Sequence, residues 1–155
     1  MRFRKVGFSG AWRCDGAGIW VTDNDLNQLL KLSAAGAILQ TVTVGGGPWN
    51  PAFDGANIWV PNSASNSVSV VRASSGVVLQ TLTGNGLNLP LAAAFDGQRI
   101  LVTNRLGESV SLWKAADLTT IGSFPTGASS GPYGACSDGV NFWIAMHTAN
   151  KIARF

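Results

Sequence analysis

The sequence predicts an all-β chain assembled from four copies of one antiparallel unit, and three observations carry that prediction. An Asp-Gly pair recurs at Asp15-Gly16, Asp54-Gly55, Asp96-Gly97 and Asp138-Gly139, spaced 39, 42 and 42 residues apart. Behind each pair the same columns return, first as Ile19-Trp20-Val21, Ile58-Trp59-Val60, Ile100-Leu101-Val102 and Phe142-Trp143-Ile144. Further on they read Gln28 to Leu32, Ser67 to Val71, Ser109 to Trp113 and Lys151 to Phe155. A proline stands six residues ahead of the Asp in three copies, at Pro48, Pro90 and Pro132. Four short strands in a unit of this period describe one blade of a β-propeller.

Each element follows from local chemistry. In the second copy, Asn50 to Phe53 leads into an Asp-Gly turn, a strong hairpin signal between apolar runs. Asn57 to Val60 is the second run, and the polar stretch Asn62 to Asn66 turns the chain. Val68 to Arg72 alternates polar with apolar residues, the period of a half-buried strand. Ser74 to Gly76 turns again into a fourth run, Val77 to Leu82. No window keeps helical spacing.

The blades are expected at about 9–45, 46–86, 87–127 and 128–155 of one propeller domain spanning 1–155. Residues 1–8 form a β-compatible run in the place that an outer strand takes in later repeats. The fourth repeat stops after its third strand, so the N-terminal strand is expected to complete it and remove an open sheet edge. Bulky Trp20, Trp59, Trp113 and Trp143 fit a ring larger than four blades. Two chains exchanging N-terminal strands would give an eight-bladed homodimer with two-fold symmetry. Closure within one chain is the alternative.

Composition narrows the function classes. Charged residues make up 12% of the 155 and the net charge is +3, too weak to argue for nucleic acid by itself, and no nucleic-acid partner is expected. Arg2, Arg4 and Lys5 read as the solvated side of a strand. No apolar run approaches a membrane span, and the N-terminus lacks the apolar core of a signal peptide. As written, the chain reads as cytoplasmic, or as periplasmic or secreted if a leader was removed. Cys14 and Cys136 fall on opposite strand faces, so no disulfide is expected. Both read as small buried apolar residues.

The pattern running through Phe-Asp-Gly, Ile100-Leu101-Val102-Thr103-Asn104 and Ser-Val-Ser-Val resembles the YVTN type of bacterial propeller repeat. It is also similar to repeats of the streptogramin B (virginiamycin B) lyase-like propellers. The resemblance covers nearly the whole chain and implies the fold. For activity it implies histidine and glutamate near a metal. The chain has one His and one Glu, His147 and Glu108, in different repeats. The lyase chemistry therefore does not carry over, and no metal or cofactor is expected.

Candidate site residues lie on the loops joining second to third strands and on the connections into inner strands, which share one face of a propeller. Loops on a rigid scaffold are where binding concentrates. The candidates are Trp49, Tyr133, Asp23, Asn62, Asn104, Arg105 and His147. Trp49 and Tyr133 offer ring faces for a carbohydrate or flat small molecule, with the amides fixing orientation. Packing between blades is the other reading of both rings. Asp23 and Asp25 are too few carboxylates for a dedicated Ca²⁺ site and read better as turn caps. The Asp of each Asp-Gly pair does one job per blade. The six Trp read mainly as core. The leading expectation is a non-enzymatic binding or interaction module, the alternatives being a small lyase or hydrolase, or a propeller fragment defined by self-assembly.

Overall fold

The computed structural model describes residues 12–155, and there is no helix among them. The expected N-terminal strand at 1–8, and with it the closure of the last blade, lies outside the described residues. Blade 1 consists of β1 (Trp12–Cys14), β2 (Ile19–Asp23), β3 (Gln28–Leu32) and β4 (Ile38–Thr43). Blade 2 consists of β5 (Ala52–Phe53), β6 (Asn57–Asn62), β7 (Ser67–Arg72) and β8 (Val78–Leu82). Blade 3 holds β9 (Pro90–Phe95), β10 (Arg99–Asn104), β11 (Ser109–Lys114) and β12 (Thr120–Pro125). Blade 4 holds β13 (Pro132–Ser137), β14 (Phe142–Met146) and β15 (Lys151–Arg154). Every blade is an antiparallel meander in chain order. The all-β, four-bladed propeller read from the repeat is the fold observed.

Successive residues of a strand point to opposite faces, and this period places one column toward the next blade and its neighbour toward the previous one. Trp20, Leu29 and Val42 of blade 1 pack on Ile58, Val60, Val71 and Ala73 of blade 2. Ala52, Trp59, Val68, Val70 and Leu82 pack in turn on Ala93, Ile100, Val102 and Trp113 of blade 3. Ala94, Leu101, Val110 and Leu112 close on Phe142, Ile144 and Met146 of blade 4. The core is thus a series of slabs between sheets. A Trp fully buried in such a slab removes ~200 Å² from water, worth at most ~5 kcal/mol of transfer free energy.

The turns repeat with the blades. Asn27, Asn66, Glu108 and Asn150, all four residues into the turn between second and third strands, have φ of 56°, 48°, 47° and 51°. Asn tolerates this left-handed conformation through its short polar side chain. Glu108 holds it without that advantage.

Two expectations need correction at the ends of the series. Trp143 belongs to the column of Trp20 and Trp59, yet is 39% exposed where those two are at 0%. Among the described residues no further blade covers its face, so it is not core; Trp12 is exposed as well. Cys14 and Cys136 are free thiols, and both are exposed rather than buried. Cys14 pairs with Ile19 and Cys136 with Trp143, which places each on the uncovered face of an end blade.

Candidate functional site

The loop-bearing face is built by connections that clamp onto the turns beside them. Trp49 N–H donates to the Pro61 carbonyl at 2.8 Å, and Ser63 and Ala64 N–H donate to the carbonyls of Gly47 and Gly46. Gly47 lies at φ 65° with Ala64 N only 3.1 Å from where a Cβ would stand, so the run of glycines before Trp49 serves this close approach. Asn27 Oδ1 accepts from Gly47 N–H at 2.9 Å. These bonds fix the segment that carries Trp49.

Four of the seven expected residues come together on this face. The rings of Trp49 and Tyr133 meet edge-on with centroids 6.2 Å apart. Tyr133 also lies 5.8 Å from the His147 ring, and the Arg105 guanidinium sits over its face at 5.9 Å. The residues come from the connection into blade 2, the end of β10, the start of β13 and the end of β14, so three blades contribute. Tyr133 is held from behind: Thr103 Oγ donates to its carbonyl at 2.8 Å and accepts from Ala92 N–H at 3.1 Å. Trp49 and Tyr133 are half-buried, while Arg105 and His147 are exposed. Ring faces beside a cation on a fixed backbone suit stacking on a flat or sugar-like ligand, with Arg105 available to an anionic or hydroxyl oxygen.

The structure sets the other three apart from this cluster. Asp23, Asn62 and Asn104 occupy one column at the ends of β2, β6 and β10, with exposures of 2%, 0% and 0%. Asp23 Oδ1 accepts from Leu26 N–H at 3.1 Å, capping its turn. The Asn62 amide donates to Ser67 and Ser69, and that of Asn104 to Ser109 and Ser111. Their side chains tie the second strand to the third.

A cleft of about 650 Å³ opens on the opposite face between blades 2 and 3, beside Asp54, Asn57, Phe95, Arg99 and Lys114. Its size does not make it the better site. Asp54 is bound to its own turn and to Trp59, and Arg99 is paired with Asp96 at 2.7 Å.

That commitment belongs to a device missed in the sequence. In three blades the Asp of the Asp-Gly pair accepts two backbone N–H groups on Oδ1 and the indole N–H five residues on, on Oδ2. The indole distances are 2.8 Å for Asp15–Trp20, 2.7 Å for Asp54–Trp59 and 2.8 Å for Asp138–Trp143. In blade 3, where Leu101 replaces Trp, Asp96 Oδ2 takes Arg99 Nε instead. The signal was the fixed spacing of Asp and Trp in the columns. In blade 1, Lys31 Nζ joins Asp15 at 2.8 Å. Burial would raise the Asp15 carboxyl, but the bonds from Lys31, Trp20, Ala17 and Gly18 outweigh it and lower it to about 2.

No family model matches the sequence, and no curated protein matches it either. Solved structures do match in fold. A catalytically inactive virginiamycin B lyase from Staphylococcus aureus, solved with quinupristin, superposes with a TM-score of 0.76 at 21% identity, over 88% of this chain and 47% of that one. Kuenenia stuttgartiensis hydrazine synthase gives 0.82 at 17% identity, over 98% and 47%. The WD40 propeller domain of Doa1 gives 0.76 at 10% identity, over 94% and 49%. The chain spans about half the length of these structures. It shares the propeller fold of a streptogramin B lyase and of the WD40 domain of Doa1 alike.

Proposed function

We propose that the chain is a non-enzymatic binding module whose ligand rests on the loop-bearing face. The observation that carries this reading is the Trp49–Tyr133 pair at 6.2 Å, flanked by Arg105 and His147 and anchored to the strands beneath. Preorganised rings lose little conformational entropy on stacking, so such a platform gains affinity from rigidity. The ligand class is a carbohydrate or a flat small molecule with oxygen acceptors for Arg105. Titration of tryptophan fluorescence against neutral oligosaccharides, uronic-acid oligosaccharides and planar aromatic acids tests it. Saturable quenching by one class is expected, weakened about tenfold or more in both Trp49→Ala and Tyr133→Ala. Binding unchanged in both variants, or no response to any class, would overturn the assignment.

A lyase or hydrolase is the second reading, favoured by the superposition on virginiamycin B lyase. Its difficulty is chemical. His147 is the single histidine of the sequence, its ring lies against Tyr133, and among the described residues no carboxylate is seen orienting it as a general base would need. Incubation with quinupristin, followed by mass spectrometry, distinguishes the two: the binding-module reading expects the compound unchanged.

A further inference from the structure

The uncovered face of blade 4 and the uncovered face of blade 1 are two halves of one inter-blade junction, and we propose that a second copy of this chain joins them head to tail. At the two junctions that flank blade 3, the residue two places ahead of the Asp packs with the one three places ahead in the next blade, as Ala52 does with Ala93 and Ala94 with Ala135. At the end of the series the first of these is Cys136, exposed. At its start the second is Trp12, 65% exposed.

The remaining columns agree. Trp143 and Ile152 stand where Trp59 and Val68 are fully buried, yet they are 39% and 76% exposed. Blade 1 presents Ile19 and Val21, half-buried, in the columns that receive such residues at the other junctions, where Ile58 and Val60 receive Trp20.

Shape and polarity match too. Gly134, Cys136 and Ala145 leave a hollow of about 300 Å³ beside Trp143 and Ile152. Trp12 is the bulky member of a column otherwise filled by Pro51, Ala93 and Ala135, so it is a knob for that hollow. Lys31 Nζ donates across its junction to the Ala73 carbonyl at 3.2 Å. Arg154 occupies the column of Lys31, and Ala34 that of Ala73, so Arg154 of one copy meets the Ala34 carbonyl of the other.

The number of copies follows from curvature. The chain superposes over 88% of its length on a virginiamycin B lyase and covers 47% of that chain, and two copies of four blades give eight, within the range of closed propellers, so closure after two copies is the expected outcome. A head-to-tail contact that closes after two copies leaves no open face, and one that did not close would grow a filament.

Light scattering on the intact chain and on two surface variants tests the proposal. Ile152→Glu breaks the face of blade 4, and Trp12→Glu that of blade 1. Both positions are exposed in the isolated chain, so circular dichroism and melting should show the fold retained. The wild type is expected at twice 16.2 kDa, and each variant at the chain mass, its dimer weakened about 100-fold or more. Mixing the two variants restores one intact junction, so a mixed dimer should reappear. A wild type at the chain mass, as expected if the face is covered by other sequence or left bare, overturns the proposal. So does a dimer that survives either variant, or a mixture that stays monomeric.

Discussion

Asp54 Oδ2 accepts a hydrogen bond from Trp59 Nε1 at 2.7 Å, joining the turn on one edge of a blade to a fully buried Trp in the slab beside it. The same carboxylate holds Ala56 and Asn57 N–H through its other oxygen. Turn geometry and core packing are therefore set by a single residue.

Removing that residue should cost more than turn propensity alone. Asp54→Ala leaves a buried indole N–H and two backbone N–H groups without their acceptor, for a loss of about 2–3 kcal/mol. Asp96→Ala should cost less, because Arg99 is partly exposed and Leu101 needs no acceptor. Urea midpoints of the two variants check the order.

Acid should act through the same carboxylates. Asp138 lies well below the ordinary carboxyl value, held by the N–H of Asn141, the Trp143 indole and the Val140 N–H. Asp96 is lowered as well, burial being outweighed by the backbone N–H groups of Arg99 and Gln98 and by the Arg99 side chain. A folded-state pKa below the unfolded one gives stability that is present above the unfolded value of 3.8 and lost as pH falls toward about 2 for Asp15. Thermal melts from pH 5 down to about 2 should fall steeply in the wild type and less so in Asp15→Asn.

Glu108 is the one departure from Asn in its column, at φ 47°. Glu108→Asn should stabilise the chain by about 0.5–1 kcal/mol, since Asn adopts this backbone with less strain. Glu108→Gly should relieve the strain too, with part of the gain lost to unfolded-chain entropy. Melting temperatures compare the three chains.

Thr103 couples the interior to the aromatic platform. Thr103→Val strips the partner from Ala92 N–H and from the Tyr133 carbonyl, at a cost of about 1–3 kcal/mol. Ligand affinity at the Trp49–Tyr133 pair should fall with it although Thr103 is buried and touches no ligand. Titration and unfolding of the same variant measure both effects.

The blades were legible because each repeats its columns, and strand alternation turns a column into a face. The shared face of the loops was legible too, from meander topology. The grouping of Trp49, Arg105, Tyr133 and His147 was not, since they occur in three different repeats and only the curvature of the ring brings them together. Asn62 and Asn104 read as loop residues because Ser67, Ser69, Ser109 and Ser111, which bury their amides, lie across a strand pair rather than beside them in sequence. Cys14, Cys136 and Trp143 were misplaced for a different reason. A column predicts burial only where another blade follows, and no local pattern reveals which blades lie at an end.

The Asp-to-Trp bond closes within six residues of its own blade and asks nothing of a neighbour. A duplicated segment therefore arrives with its clasp already fastened, whatever it is inserted beside. Only the apolar slab between sheets must then be matched, and slabs accept Val, Leu, Ile or Trp in the same column. Such a chain could lengthen by copying without relearning how each unit folds.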